Sequence, residues 1–202
     1  MDLLLTTDSV PPAQRRDYWT ELICDAYVNL ECAPLTSAGT QRVDPGDFAG
    51  SIRSRDLGGL RLSTVRSRRQ QVQRTPRQIA RAEQDFFLLS IQSRGQGIIR
   101  QDGRCAVLSR GDFALYDSTR PYELSFTDDF EQRVLMVPGD QLRRELRGTE
   151  ALTATTVSRR RGASSACRPG SGARVANRHR DQSIAGARRK ASTRESVRAA
   201  SA

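Results

Sequence analysis

Residues 111–124 read GDFALYDSTRPYEL, and their punctuation decides the fold. Gly111-Asp112 makes a turn, FALY follows as a short strand, DSTRP turns again, and YEL opens the next strand. Gly, Asp, Ser and Pro stand where tight turns need them. The same grammar runs outward from Asp85. DFFLLSIQ, GIIRQ, CAVLS, DFALY, YELSF and EQRVLMV are alternating runs, separated by SRGQ, DGR, RG, DSTRP and TDDF. Six short strands at such close spacing predict a sandwich or small barrel, a mainly β fold.

Further out the period changes. Residues 48–68 alternate around Gly58-Gly59 and read as a hairpin. RTPRQIARA, residues 74–82, is a turn or short helical connector. Residues 9–28, SVPPAQRRDYWTELICDAYV, predict an N-terminal helix. Ser9 can cap it, the prolines are tolerated in its first turn, and Trp19, Leu22, Ile23, Ala26 and Tyr27 form a stripe for the core. PGDQLRRELRG, residues 138–148, closes the body with a short helix. Asp140 is its cap, Leu142 and Leu146 sit one turn apart, and Gly148 ends it.

The charge is divided unevenly. The chain of 202 residues has a formal net charge of +10. Residues 1–152 carry 21 Arg against 21 Asp plus Glu, so the whole excess lies in residues 153–202. A balanced body leaves no basic footprint for DNA. The last fifty residues contain no Phe, Tyr, Trp, Leu or Met, and only Val157, Val175, Ile184 and Val197 are large aliphatics. That is too little apolar surface to offset chain entropy, so residues 151–202 are expected to be a disordered tail after a domain spanning residues 1–150. Arg, Ala, Ser and Gly without period are what a shifted reading frame of GC-rich coding sequence yields; the alternative is a genuine basic tail that holds nucleic acid nonspecifically through residues 159–198.

Cys24, Cys32, Cys105 and Cys167 show neither a C-x-x-C pair nor zinc spacing. MDLLLTTDSV lacks the basic and apolar regions of a signal peptide, and no apolar run is long enough to span a bilayer. A cytoplasmic protein with free thiols and no membrane partner is expected. No residue qualifies as catalytic: Cys105 has no histidine to partner it in the body, and Asp128, Asp129 and Glu131 form an acidic turn without acid/base geometry.

The run SIQSRGQGIIRQDGRCAVLSRGDFALYDSTRPYELSF, with RTPRQIARAEQDFFLLSIQ and DYWTELI upstream, resembles the N-terminal effector-binding and dimerisation domain of AraC/XylS-type transcription regulators, in its cupin-like variety. The resemblance covers residues 5 to 150. It implies a cupin-like small β-barrel with flanking helices, a small-molecule effector as partner, and pairing of two subunits through helices that follow the barrel. It also implies a separate DNA-binding module of about a hundred residues with two helix-turn-helix motifs. This sequence departs from that pattern after the barrel, where no amphipathic helical period follows, so DNA is expected as a partner only of a full-length relative.

Metal chemistry is not expected. In a metal-binding cupin the second motif is G-x5-P-x-G-x2-H-x3-N; counted from Gly111, those positions hold Asp117, Thr119, Tyr122 and Phe126. Upstream, Glu83 and Asp85 are present without His or Cys, and the sole histidine is His179. Three or four N/O ligands in a ring cannot be assembled from this set. With no cofactor, the barrel is expected to be either a scaffold or a cavity for an organic effector. Tyr122 inward places Leu124 and Phe126 inward as well, and the same registration points Phe86, Leu88, Ser90 and Gln92 inward. The competing expectation is that these side chains simply fill the barrel. Leu142 and Leu146 are the candidate pairing face, too small for more than a weak homodimer.

Overall fold

The structure is a computed structural model that describes residues 2–34 and 48–159. Two antiparallel sheets face each other. Sheet one runs in the order β1 (Asp2–Thr6), β3 (Gly50–Asp56), β4 (Arg61–Ser67), β11 (Phe130–Pro138), β6 (Phe86–Arg94), β9 (Phe113–Asp117). Sheet two runs β2 (Glu31–Ala33), β5 (Gln70–Arg74), β10 (Tyr122–Phe126), β7 (Gly97–Gln101), β8 (Arg104–Leu108). The six strands expected downstream of Asp85 are all present, and so is the hairpin over 48–68. Gly58 and Gly59 make its turn with φ of 69° and 91°, a region that costs glycine little.

Alternation then builds the interior. Ile52 on β3, Val65 on β4, Val72 on β5, Leu88 on β6, Ile99 on β7 and Val134 on β11 are all buried between the sheets. α1 (Arg15–Ala26) lays Trp19, Leu22, Ile23 and Ala26 against this core, as its stripe predicts. α2 (Pro76–Ile79) and α4 (Thr149–Leu152) are single turns and α3 (Gly139–Glu145) about two, all short connections.

Four expectations need correction. First, the helix does not start at Ser9. Residues Thr7–Ser9 and Pro12–Gln14 are separate 3-10 turns, with Val10 and Pro11 extended between them, because the residue before a proline avoids the helical region. Second, β1, β2 and β5 were not expected as strands. β5, QQVQR, is polar at four of five positions yet is central, paired to both β2 and β10. Third, α3 is shorter than expected: Asp140 lies inside its first turn rather than capping it, and the helix ends at Glu145, before Gly148; Leu146 is already extended, so only Leu142 of the candidate pair lies within the helix. Fourth, the folded body runs past residue 150. Ala154 donates its N–H to Leu115 and Val157 exchanges both bonds with Phe113, so residues 153–157 extend the free edge of β9. An open edge supplies unpaired backbone groups that even an apolar-poor segment can satisfy. The basic tail from residue 160 onward lies outside the described residues.

Candidate functional site

β10 points Tyr122, Leu124 and Phe126 inward, and these three border a cavity of about 40 Å³. Leu88 and Tyr116 border it from sheet one, Val72 and Gln70 from β5, and Phe130, Gln132 and Val134 from β11. α1 and the turn after it close the remaining side with Ile23, Tyr27 and Leu30. The rings are ordered: Phe126 stacks on Phe130 with centroids 3.6 Å apart, and Tyr116 meets Tyr122 edge-on at 4.8 Å. The edge-on Tyr pair suits the aromatic quadrupole, while the nearly parallel Phe pair is held by close packing between β10 and β11.

The polar groups facing inward are mostly tied to each other. Trp19 Nε1 donates to Gln70 Oε1 at 2.9 Å, Gln132 Nε2 donates to Gln92 Oε1 at 2.8 Å, and Ser90 shares a hydrogen bond with Tyr116 at 3.1 Å. Tyr27 bonds Ser63. Among the residues that border the cavity the Tyr122 hydroxyl differs: it is buried and has no hydrogen-bond partner among the described residues.

Of the residues expected at the site, Leu88, Tyr122, Leu124 and Phe126 border the cavity. Ser90 and Gln92 are buried beneath it, engaged with Tyr116 and Gln132, which border it themselves. Phe86 shares their parity but begins its strand; it is half-buried, packs against the core and does not reach the cavity. Sequence reasoning missed the contributions of β5 and β11. Phe130, Gln132 and Val134 keep the period of two and were readable by parity; Gln70 was hidden in a polar run. Leu142 is half-buried and Leu146 is exposed.

At 40 Å³ the cavity has room for a water molecule or two and falls far below the several hundred Å³ that encloses a drug-sized ligand. Any larger guest requires α1 or neighbouring side chains to move. A wider hollow of about 420 Å³ lies on the surface among Arg66, Arg68, Arg94, Asp8, Asp129 and Glu131. Its charges largely neutralise one another, Arg66 on Glu131 at 2.7 Å and Arg68 on Asp129 at 2.6 Å. Among the described residues no three His, Cys, Asp or Glu side chains gather as a metal set, and no helix is long and apolar enough to cross a membrane.

Burial sets the titration of this interior. It pushes the Tyr116 hydroxyl up to about 12, against the opposing pull of its bond to Ser90. Tyr27 and Tyr122 are raised as well, with burial the main cause, and burial pushes the Cys32 thiol up to about 12. All four groups stay neutral when folded but ionise at ordinary values when unfolded. Their contribution to stability is therefore full below about pH 9 and is lost as pH rises toward 12. Alkaline unfolding is expected in that window. Tyrosinate absorbance should climb in the same transition in which the β-sheet circular dichroism disappears. Ionisation of all the chain's tyrosines near pH 10 with the sheet signal intact would contradict the burial.

Comparison with known proteins agrees with this architecture. Residues 19–187 match the model of a family described as AraC-binding-like domain, a match that continues past residue 150. A protein of Bacillus sp. (strain OxB-1), described as an uncharacterized protein in the nit 5' region, is 38% identical over 154 residues, covering 76% of this chain and 57% of its own length. The transcriptional activator NphR of Rhodococcus sp. is 32% identical over 94 residues, 46% of this chain and 28% of NphR. Among solved structures, the AraC-like transcriptional activator CuxR superposes with a TM-score of 0.59 at 17% identity, over 72% of this chain and 50% of CuxR. The chain thus spans little more than half the length of these relatives at most. With the cupin-like pair of sheets, the capping helix and the family match over most of its length, the chain belongs to the AraC-binding-like domain family.

Proposed function

We propose that this chain is the effector-sensing part of an AraC-type transcription regulator, binding a small organic molecule between its sheets without catalysing a reaction. The observation that carries the reading is the interior cavity bordered by Tyr122, Leu124, Phe126 and Leu88, mostly apolar, with the Tyr122 hydroxyl left unpartnered among a few polar groups that are already hydrogen-bonded. An apolar enclosure with few polar groups is the pattern of a small-molecule site. Its small volume fits a sensor whose closed form is tightly packed and whose α1 side yields to the ligand, so that occupancy is coupled to helix position. Self-association through Leu142 and Leu146 would be weak, since two leucines fall far short of the ~1,200 Å² a stable interface removes from water. The location of such a protein in the cytoplasm, and DNA binding by a longer relative, belong to the same proposal.

Thermal unfolding of the full chain against a library of several hundred small organic molecules tests it. A ligand at a hundred times its Kd should stabilise the fold by about 2.7 kcal/mol. Val134→Ile adds one methylene where the cavity has space. It should raise stability by up to about 0.8 kcal/mol while weakening every genuine cavity ligand. A library without a hit, or hits indifferent to Val134→Ile, would overturn the reading.

A further inference from the structure

Beside the cavity lies a cation that no carboxylate pairs with among the described residues. Arg74 ends β5 on the inward face, in line with Gln70 and Val72, which border the cavity. It is only 2% exposed. Its Nε donates to the Ser118 carbonyl at 2.9 Å and its Nη1 to the Asn29 carbonyl at 2.7 Å. Nη2 is buried and has no partner among the described residues. Other arginines of this sheet sit on carboxylates: Arg100 pairs with Glu123 at 2.9 Å, and Arg104 lies 3.5 Å from Asp102. Two carbonyls fix the plane of the Arg74 fork but do not neutralise it. Burial pulls its pKa down, yet a guanidinium stays protonated in proteins. A buried charge of this kind is normally paired.

The register supplies a second donor. Tyr122 stands directly opposite Arg74 across the β5–β10 ladder. Its hydroxyl borders the cavity and, like Arg74 Nη2, is buried without a partner among the described residues. Burial keeps that hydroxyl un-ionised and therefore able to donate. Two unpartnered donors on register-paired residues, one of them charged, beside the aromatic and aliphatic walls of the cavity, match an anion that has two acceptor oxygens and an apolar body.

We propose that Arg74 Nη2 and the Tyr122 hydroxyl form the polar end of the effector site and hold a carboxylate, so that the effector is a small organic monocarboxylate whose apolar body lies against Val72, Leu124 and Phe126. A phosphate fits less well. Its further oxygens and second charge would find no donors in these surroundings and would be costly to desolvate. This inference rests on the effector reading above, and the experiment separates the two.

Calorimetric titration of the full chain uses matched probes: benzoate, phenylacetate and hexanoate, each against its own neutral amide. At least one acid should bind about tenfold or more tighter than its amide, the effect of one charge-assisted hydrogen bond. Arg74→Gln and Tyr122→Phe should each shrink that preference to less than about twofold. Tyr122→Phe removes a single oxygen and keeps the ring packing, so it decides the matter should Arg74→Gln fail to fold. Amides that bind as well as their acids would overturn the carboxylate while leaving the effector reading intact. An acid preference that survives Tyr122→Phe and any folded Arg74→Gln would likewise overturn it. Absence of binding by both series would sink this inference along with the site it depends on.

Discussion

Replacing Trp19 by alanine is expected to destabilise the fold by about 3–5 kcal/mol, a large part of the roughly 5–15 kcal/mol that holds an ordinary domain together. Trp19 is 1% exposed and joins three parts of the molecule. Its indole Nε1 holds Gln70 at the start of β5, at 2.9 Å. Its ring lies beside Phe48, with centroids 6.0 Å apart. It also fills the space that a side chain at Gly50 would need: a Cβ there would stand 2.4 Å from the ring. Alanine would remove the largest apolar contact of α1, leave an inward glutamine carbonyl without its donor, and open a void that the backbone at Gly50 cannot close. Gly50→Ala should destabilise strongly for the complementary reason, overpacking against the same ring. Since Trp19 is the single tryptophan, urea unfolding must be followed by circular dichroism. A loss under 1 kcal/mol would mean that α1 is only loosely attached, and that the wall formed by Ile23 and Tyr27 is not a fixed part of the cavity.

This joint also shows why part of the molecule was legible in sequence and part was not. From Asp85 to Pro138 each strand alternates and each turn carries its Gly, Asp or Pro, so periodicity and punctuation point to one answer. The Trp19 stripe was legible on the same ground. β5 was not. Its inward positions are Gln70, Val72 and Arg74, two polar residues of three, and binary patterning reads such a run as solvent-facing. The pattern fails because the partners are distant in sequence: Gln70 meets Trp19, 51 residues away, and Arg74 meets carbonyls at Asn29 and Ser118. Among the described residues β1 and β2 pair along one edge each, with β3 and β5, so little of their placement is written in their own residues. For the candidate site the consequence is direct. Parity from Tyr122 found the apolar wall, Leu124 and Phe126 on the same strand, but not the cation opposite it, because that cation lies on the strand the pattern hid.

Ending the chain after Leu152 should cost about 4 kcal/mol relative to a chain ending at Arg159, although the intervening residues, TATTVSR, hold only one large aliphatic side chain. Their contribution lies in the backbone. Val157 exchanges two bonds with Phe113 at 2.8 and 3.0 Å, and Ala154 donates to Leu115 at 2.8 Å. Arg104 reaches across with Nε to the Thr153 carbonyl at 2.7 Å, and its Nη2 bonds both Glu150 and the Thr153 hydroxyl. Thr156 adds a bond to the Val107 carbonyl at 3.1 Å. At about 1 kcal/mol net for each typical hydrogen bond, the three backbone bonds supply about 3 kcal/mol, and the burial of Thr153 and Ala154 adds the rest. Ala154 holds a φ of 49°, a left-handed conformation that costs a non-glycine residue about 1 kcal/mol or more and persists only where surrounding contacts over-determine it. Ala154→Gly in the longer chain should therefore relieve strain and lose little. Chemical denaturation of the two truncated chains checks the first expectation: equal midpoints would mean that β9 is a finished edge and the segment merely rests on it. A large gap would place the segment within the folding unit, bridging β9 of one sheet to Arg104 and Val107 of the other.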